Sequence, residues 1–298
     1  MAKTITVLGA TGNVGGKLAA RLLEKGAHVR VVARDAGRLA GLAAKGAEVL
    51  AGDAGDAAFL GKAFRGADAA FALLPPKYDA VDARAEQGAT GEAQAKAIRE
   101  SGIPFVVFLS SIGAHLPERT GPILGLHDQE ARLRALSGVA VRALRPTYFM
   151  ENHLFGIGLV KAQGIYGSPI RTDVAMPQIA TADIAERAAE RLLGPVPAGF
   201  VTEELLGPSD LTMPEAARAL GASVGRPDLP YVVFPYEAAV QAMLSQGMSP
   251  SVAEAMVEMN RGFNDGWIVS ERPRDARATT PTTIEEFART VFAPAFGA

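Results

Sequence analysis

The sequence predicts an α/β fold in which a doubly wound parallel sheet is followed by a smaller, mostly helical lobe. Apolar, strand-like runs alternate with helical patterns through the first half, which is typical of a parallel sheet with helices on both faces. Beyond about residue 150, this alternation gives way to helices with short strands, and Pro and Gly become frequent around 164–177 and 194–208. We therefore expect a sheet domain over residues 1–150 and a lobe over residues 151–298, with some elements of the lobe returning to the sheet.

The six predicted strands are short apolar runs rich in residues that favour an extended backbone. They cover residues 3–8, 28–33, 47–51, 68–73, 104–109 and 139–144. Six strands joined by helical crossovers form a doubly wound sheet, and ligands of such sheets bind at the carboxyl ends of the strands.

Five helices are predicted between these strands, and a glycine follows each of them. The helices cover residues 13–25, 36–45, 56–65, 80–101 and 127–137, and the glycines are Gly26, Gly46, Gly66, Gly102 and Gly138. Glycine is favoured just past a helix because the residue there often takes a left-handed conformation. In the lobe, Thr212 with Glu215 and Thr283 with Glu286 have the spacing of a capping box, which predicts two further helix starts.

The composition excludes several classes of protein and of site. Lys and Arg number 30 against 32 Asp and Glu, so the formal net charge of -2 gives no electrostatic reason for binding nucleic acid or an anionic membrane. The chain has no cysteine, which excludes disulfides, thiol nucleophiles and thiolate metal sites. Because the sequence has neither a signal-peptide core nor a run of about 18 apolar residues, we expect a cytoplasmic protein.

A glycine-rich loop joins the first predicted strand to the first predicted helix. Gly9, Gly12 and Gly15 have the spacing GxxGxxG, with Thr11, Asn13 and Val14 between them. Glycines at a strand-to-helix turn let backbone N–H groups approach a pyrophosphate, and the helix N-terminus adds unpaired donors and a positive dipole end. The loop therefore predicts a Rossmann-type domain that binds a nicotinamide dinucleotide.

The end of the second predicted strand indicates which dinucleotide is bound. A site for NAD usually places an acid there, against the ribose hydroxyls, whereas this chain has Arg34 and, one helical turn later, Arg38. A guanidinium pairs bidentately with a phosphate, so the sequence favours NADP(H) over NAD(H). Asp35 leaves the other assignment open, because a shift of one residue would return an acid to the ribose.

A set of motifs in one order resembles the NmrA-like group of atypical short-chain dehydrogenase/reductases. After the glycine loop, these motifs are Gly52-Asp53, Leu73-Leu74-Pro75, Ser110-Ser111-Ile112-Gly113-Ala114, His127-Asp128-Gln129-Glu130 and the run from Leu144 to Asn152. The resemblance runs from residue 3 to about residue 220. Within the group, the chain is similar to NAD(P)H-dependent quinone reductases and triphenylmethane-dye reductases, while other members are cofactor-sensing regulators without turnover.

The resemblance implies roles for residues along the strand ends. Asp53 and Ala54 would lie near the adenine, and Leu73, Leu74 and Pro75 would border the ribose. Ser110 would lie beside the nicotinamide, and the segment from Pro146 to Phe149 would flank the nicotinamide ring and the substrate. It also implies that the second half of the chain is a substrate-binding lobe.

The reaction typical of the parent superfamily is not supported by this sequence. Ordinary members use Tyr-x-x-x-Lys, in which the lysine lowers the pKa of the tyrosine that moves a proton to or from an alcohol oxygen. None of the five tyrosines here is followed by lysine at that spacing. If Glu130 is aligned with the glutamate four residues after that lysine, Leu126 and Pro122 stand at the lysine and tyrosine positions.

An electron-poor conjugated acceptor can instead take a hydride directly and collect its proton from water or a weak donor. His127 and Tyr148 are the candidate catalytic residues, as proton donors or orienting groups, although His127 at a helix start can equally bond the local backbone. Phe149, Met150 and Asn152 are predicted to contact the acceptor. The histidines lack ligand spacing, so no metal site is expected.

Two hypotheses follow from these residues. The first is an NADP(H)-dependent reductase of quinone-like or other small, apolar or aromatic acceptors, acting by direct hydride transfer. The alternative is a non-catalytic NADP(H)-sensing regulator that binds a protein partner. We expect no nucleic-acid or membrane partner, and the sequence leaves a homo-oligomer open.

Overall fold

The computed structural model describes residues 2–298, and its centre is a seven-stranded parallel sheet. The sheet contains β1 (Thr4–Leu8), β2 (His28–Ala33), β3 (Glu48–Ala51), β4 (Ala69–Leu73), β5 (Phe105–Leu109), β6 (Ala140–Pro146) and β10 (Phe200–Leu205). Their order across the sheet is β10-β6-β5-β4-β1-β2-β3. The six strands predicted in the first half are confirmed, and the predicted doubly wound α/β fold is confirmed with them.

Helices cover both faces of this sheet. The helices between its strands are α1 (Asn13–Glu24), α2 (Ala40–Ala43, after a 3-10 turn at Ala36–Leu39), α3 (Ala57–Phe64), α4 (Ala83–Ser101), α5 (Ile123–Arg134), α6 (Ile157–Gln163) and α7 (Thr181–Leu193). Leu18 of α1 and Ile184 of α7 share one buried cluster with Val107, while Phe64 of α3 and Ile98 of α4 share another with Phe108. Alternate residues of β5 therefore enter opposite cores, which explains the continuous apolar runs of the strands.

Local turn chemistry is as predicted at most helix ends. The five glycines after the first-half helices all have positive φ, between 72° at Gly66 and 97° at Gly46. Helix α5 differs, since it begins at Ile123 rather than at residue 127. The physical reason is Pro122, whose fixed φ and missing N–H suit it to the position just before the helix.

The second half of the chain contributes to the sheet before forming the lobe. Strand β10 pairs in parallel with β6 at the sheet edge, from Phe200 opposite Val141 to Leu205 opposite Pro146. The remaining strands are short and form two small sheets: β7 (Tyr148–Phe149), β9 (Met176–Ile179) and β11 (Asp210–Leu211) in one, and β8 (Tyr166–Ser168) and β12 (Tyr231–Val233) in the other. The division of the chain at residue 150 stays a prediction.

The lobe is mostly helical. Its helices are α8 (Met213–Ser223), α9 (Tyr236–Ser245), α10 (Pro250–Asn264), α11 (Ile284–Phe287) and α12 (Ala293–Gly297), with a 3-10 helix at Met150–Gly156 and a π-helical segment at Ala288–Phe292. The predicted capping box of Thr212 and Glu215 is present at the start of α8. At α11, Thr283 accepts a hydrogen bond from the backbone N–H of Glu286. Among residues 2–298, no helix combines the length and the apolar character needed to cross a membrane.

Candidate functional site

The loop between β1 and α1 packs so tightly that two of its positions exclude any side chain. Gly9 has a φ of +65°, and a Cβ there would lie 2.8 Å from Leu73 Cδ2. A Cβ on Gly15 would lie 2.3 Å from the carbonyl oxygen of Gly9, closer than any real contact. Helix α1 therefore starts directly against the loop, and the two glycines are required by this close approach.

The first backbone N–H groups of α1 have no hydrogen-bond acceptor within their own helix. Gly12 N donates to Gly9 O at 2.9 Å, and the first helical bond runs from Gly16 N to Gly12 O at 3.0 Å. The N–H groups of Asn13, Val14 and Gly15 precede that bond, no side chain caps the helix, and its first turn has no acid. Unpaired donors at the positive end of a helix favour an anion such as a diphosphate.

The loop that leads into this helix borders, through Gly9 and Thr11, a cavity of about 490 Å³ at the carboxyl ends of the strands. Six of the predicted cofactor residues line it, namely Gly9, Thr11, Arg34, Asp53, Ala54 and Pro75. The cavity continues to Tyr78 after β4, to Glu86 and Thr90 on α4 and to Gly247 between α9 and α10. Its volume and its donors fit a dinucleotide laid across the β1, β2, β3 and β4 ends.

The residues after β2 differ in their relation to the cavity. Arg34 is exposed and lines it, whereas Arg38 is exposed but is not part of its lining. Asp35 begins the 3-10 turn, and its Oδ1 accepts from Gly37 N at 2.9 Å. One carboxylate oxygen of Asp35 is therefore engaged in capping, while Arg34 belongs to the cavity wall.

Other predicted cofactor residues support this cavity from behind. Leu73 packs against Gly9, and its carbonyl oxygen accepts from Gln94 Nε2 at 2.9 Å. Leu74 and Val14 are buried in the cores beside the sheet. Pro146 is also buried, and its carbonyl oxygen accepts from Ile112 N at 2.9 Å. These four residues, like Gly12 and Asn13, are not part of the cavity wall.

Ser110 belongs to a buried ionic network that the sequence did not indicate. Its hydroxyl donates to Glu130 Oε1, and Arg145 donates to the two oxygens of Glu130 over 2.9 and 2.6 Å. Arg145 also pairs with Glu271. The side chains of Glu130 and Arg145 are each only 4% exposed. This network fixes Ser110 toward α5, and its members come from four distant parts of the chain.

His127 is placed away from the cofactor-type cavity. Its Nδ1 lies 2.9 Å from the carbonyl oxygen of Ala114, so the imidazole bonds to backbone. The ring lines a separate cavity of about 650 Å³ together with His115, Arg134 and Arg145. The sequence left two roles open for His127, as a proton donor or orienting group and as a partner of the local backbone. The structure shows the hydrogen bond to the backbone.

Tyr148 lies in a buried group of aromatic and polar side chains. Burial raises its pKa well above the usual range, so the phenol stays protonated and serves only as a hydrogen-bond donor or acceptor. Its ring is 5.5 Å from that of His153. His153 Nδ1 lies 2.6 Å from Tyr166 Oη, and its Nε2 lies 2.8 Å from Gln178 Oε1.

His153 is neutral in this environment because burial lowers its pKa to about 4. Since Gln178 Oε1 can only accept, the Nε2 of His153 carries the proton and its Nδ1 accepts from the hydroxyl of Tyr166. No sequence pattern indicated that these side chains meet, because they lie on β7, the 3-10 helix, β8 and β9. Their proximity arises only in the folded lobe.

The three predicted acceptor contacts do not share one position. Met150 is fully buried in the lobe core with Leu220 and Phe287, so its predicted contact with an acceptor is corrected. An apolar, flexible side chain at this position fills the core instead. Phe149 packs against the sheet core and Asn152 is half-buried, but neither lines the cofactor-type cavity. Within residues 2–298, no cluster of three or more His, Asp or Glu side chains is arranged to hold a metal.

Comparison with known proteins identifies relatives over nearly the whole chain. The model of the NmrA-like family matches residues 1–288. An NAD(P)H azoreductase from Xenophilus azovorans is 31% identical over 300 residues, covering 99% of both chains.

Solved structures share the fold at lower identity. An NADPH-dependent quinone oxidoreductase from Escherichia coli, in complex with NADPH, has a TM-score of 0.80 at 22% identity and covers 97% of this chain and 99% of that one. The triphenylmethane reductase of a Citrobacter species has a TM-score of 0.79 at 20% identity, with the same coverage. NmrA, a negative transcriptional regulator in complex with NADP, has a TM-score of 0.66 at 18% identity, covering 99% of this chain and 97% of its own.

Proposed function

The chain belongs to the NmrA-like family, and we propose that it is an NADP(H)-dependent reductase of quinone-like or other electron-poor conjugated acceptors. The observation that carries the proposal is the cavity that Arg34 lines together with the glycine loop leading into α1. An NAD(P)H-dependent reductase among the relatives supports the same class of activity.

The cofactor site is assigned from the chain's own donors. The N–H groups at the start of α1 would hold the diphosphate, and Arg34 would pair with a 2'-phosphate. When bound, reduced NADP supplies a hydride, which with one proton from water converts a quinone into its hydroquinone and leaves NADP⁺. The protein contributes orientation and an apolar surrounding rather than a strong acid.

The residues available for proton transfer are consistent with direct hydride chemistry. If Glu130 corresponds to the glutamate that follows the usual lysine, Pro122 and Leu126 stand at the tyrosine and lysine positions, and Pro122 precedes the first residue of α5. The half-buried Tyr148 remains protonated and His153 remains neutral. None of these groups supplies an acid poised near neutral pH, so a reducible acceptor must take its proton from water or from a weak donor.

Turnover of a quinone panel tests this function. Purified protein with NADPH and single-ring, two-ring and three-ring quinones should consume NADPH, measured as loss of its absorbance, at a rate that depends on the quinone. Absence of turnover for the whole panel, with NADPH bound in a calorimetric titration, would contradict the reductase and leave the cofactor site in place.

Substitution of Arg34 tests the choice of cofactor. Arg34→Ala should weaken NADPH binding on the order of tenfold or more, because a charge-assisted pair to the phosphate is lost, and should change NADH binding little. Dissociation constants from calorimetry measure both, and Arg99→Ala on the exposed end of α4 is the control. Equal losses for NADPH and NADH would overturn the 2'-phosphate assignment.

A regulator that senses NADP(H) without turnover is the second candidate. It is favoured by the position of His127 outside the cavity and by the structural likeness to a transcriptional regulator that binds NADP. For such a protein, we expect clear discrimination between NADP⁺ and NADPH in titrations and no quinone reduction.

A further inference from the structure

A small apolar cavity of about 80 Å³ adjoins the cofactor-type cavity. The two cavities share the segment after β4 and one residue of α4: Pro75, Pro76, Lys77, Tyr78 and Glu86. The small cavity is completed by Ala83 and Gln87 of α4, by Pro122 before α5, and by Val252, Ala255 and Met256 of α10. A molecule in it would therefore lie against the same wall as the cofactor.

Helix α10 is fixed as the roof of this cavity by hydrogen bonds. Ser249 N donates to the carbonyl oxygen of Tyr78 at 2.9 Å, and the Ser249 hydroxyl donates to the carbonyl oxygen of Ala80. Ser251 Oγ accepts from Ala83 N at 3.0 Å. On the other side, a Cβ on Gly121 would lie only 1.9 Å from the carbonyl oxygen of Ala255. Because α10 touches backbone on both sides, the width of the cavity is set by the fold.

The lining selects for an uncharged, apolar group. Three prolines, Val252, Ala255 and Met256 offer no hydrogen bond from their side chains. The two charged residues of the wall neutralise each other, since Lys77 Nζ lies 3.1 Å from a carboxylate oxygen of Glu86. A ligand with a net charge would lose hydration here without gaining an unpaired partner.

We propose that this cavity is the acceptor site and that it admits one ring of a neutral, quinone-type acceptor, an assignment that rests on the proposed function. An apolar cavity of about 150 Å³ holds benzene, so about 80 Å³ holds about half of one ring, and the other half extends past the shared wall toward the cofactor. A second or third fused ring would have to displace α10 or occupy the space that adjoins the cofactor. The preferred acceptors are therefore single-ring quinones rather than polycyclic dyes.

Substitutions at Met256 test the assignment. Met256→Trp should fill the cavity and lower kcat/KM for 1,4-benzoquinone at least tenfold while the dissociation constant of NADP⁺ changes less than twofold. Met256→Ala should raise the preference for 1,4-naphthoquinone over 1,4-benzoquinone at least threefold. Glu254→Trp, an exposed position on the same helix, is the matched control and should behave as wild type. Since the chain has no cysteine, benzoquinone has no thiol to alkylate.

Binding without turnover gives a second readout. Benzene-1,4-diol should bind the wild-type complex with NADP⁺ in calorimetry, and Met256→Trp should abolish that binding. In wild-type crystals soaked with 4-bromophenol, the anomalous bromine peak should lie between Pro122 and Met256, a measurement that needs no variant to fold.

The outcomes separate the two proposals. Wild-type kinetics for Met256→Trp, an equal rate with anthraquinone-2-sulfonate and benzoquinone, or a bromine peak elsewhere would overturn the acceptor site while the reductase function stands. Absence of turnover for all quinones, with the diol still bound beneath Met256, would overturn the function and leave a ring-binding cavity.

Discussion

Gly15 shows how a single hydrogen atom in place of a side chain sets the geometry of the cofactor site. Its Cα lies so close to the loop that the position of a Cβ would be 2.3 Å from the Gly9 carbonyl oxygen. The contact holds the first turn of α1 against the end of β1, directly after the loop residues that line the cavity. The GxxGxxG spacing in the sequence predicted a diphosphate-binding loop, and the structure supplies the steric reason for the glycine at position 15.

Gly15→Ala should therefore lower the free energy of unfolding by about 1–3 kcal/mol, the usual cost of forcing atoms into a packed position. It should also weaken NADPH binding, because α1 must move away from the loop. Urea unfolding and calorimetry measure the two effects.

Gly61→Ala in α3 is the matched control for this prediction. Nothing lies within 4 Å of a Cβ at that position, and the residue is inside a helix. We expect a gain of about 0.4–1 kcal/mol there, since alanine reduces the freedom of the unfolded chain. If both alanine variants were equally stable, the steric account of the loop would be wrong.

Strand β10 is held at the sheet edge by one carboxylate and three arginines. Glu203 of β10 accepts from Arg142 of β6 at 2.8 Å and from Arg187 and Arg191 of α7, both at 2.7 Å. The Glu203 side chain is 11% exposed. Burial opposes its ionisation, but the hydrogen bonds from Arg191 and Arg187 outweigh it and lower its pKa to about 2.

This lowered pKa predicts how stability depends on pH. Because the pKa of Glu203 is below its ordinary value of 4.5, its ionisation stabilises the folded state fully above about pH 4.5, and the contribution is lost as the pH falls toward 2. The contribution is on the order of 3 kcal/mol. Urea unfolding of wild type and Glu203→Gln should differ most at pH 6 and progressively less between pH 4.5 and 3. A difference independent of pH would refute the ionic role, and Glu100→Gln on the exposed end of α4 is the control.

The turn between α9 and α10 meets the segment after β4 beside the cofactor-type cavity. Gly247 lines the cavity, and two residues later Ser249 bonds to Tyr78 and Ala80. These bonds link the turn between α9 and α10 to the residues that border both cavities. A ligand in the cofactor-type cavity would therefore contact both parts of the chain.

NADPH should slow amide hydrogen exchange in two segments far apart in sequence, residues 74–82 and 246–251. The expected effect at Ser249 N is on the order of tenfold, because opening this turn would require loss of cofactor contacts. Strand β12, which lies outside the cavity, should exchange at an unchanged rate. Exchange measured by mass spectrometry tests this, and protection confined to residues 74–82 would show that the turn does not respond to the cofactor.

Much of the fold was accessible from local patterns. The six strands were predicted because each buries an apolar run between helices, and the glycine positions followed from the left-handed conformation that ends helices. The family was predicted from the loop from Gly9 to Gly15 and from the ordered motifs. These are also local signals, because adjacent residues encode the backbone geometry of a turn. These features depend on neighbours within a few positions.

The contacts that shape the site depend instead on residues distant in the chain. Strand β10 completes the sheet, Glu130 pairs with Arg145, and His153 joins Tyr166 and Gln178 across separate elements. Met150 is buried in the lobe core, and burial shifts the pKa values of Tyr148 and His153. Only the folded chain could decide these features, because hydrogen bonding and desolvation depend on which groups the topology brings within a few ångströms of each other.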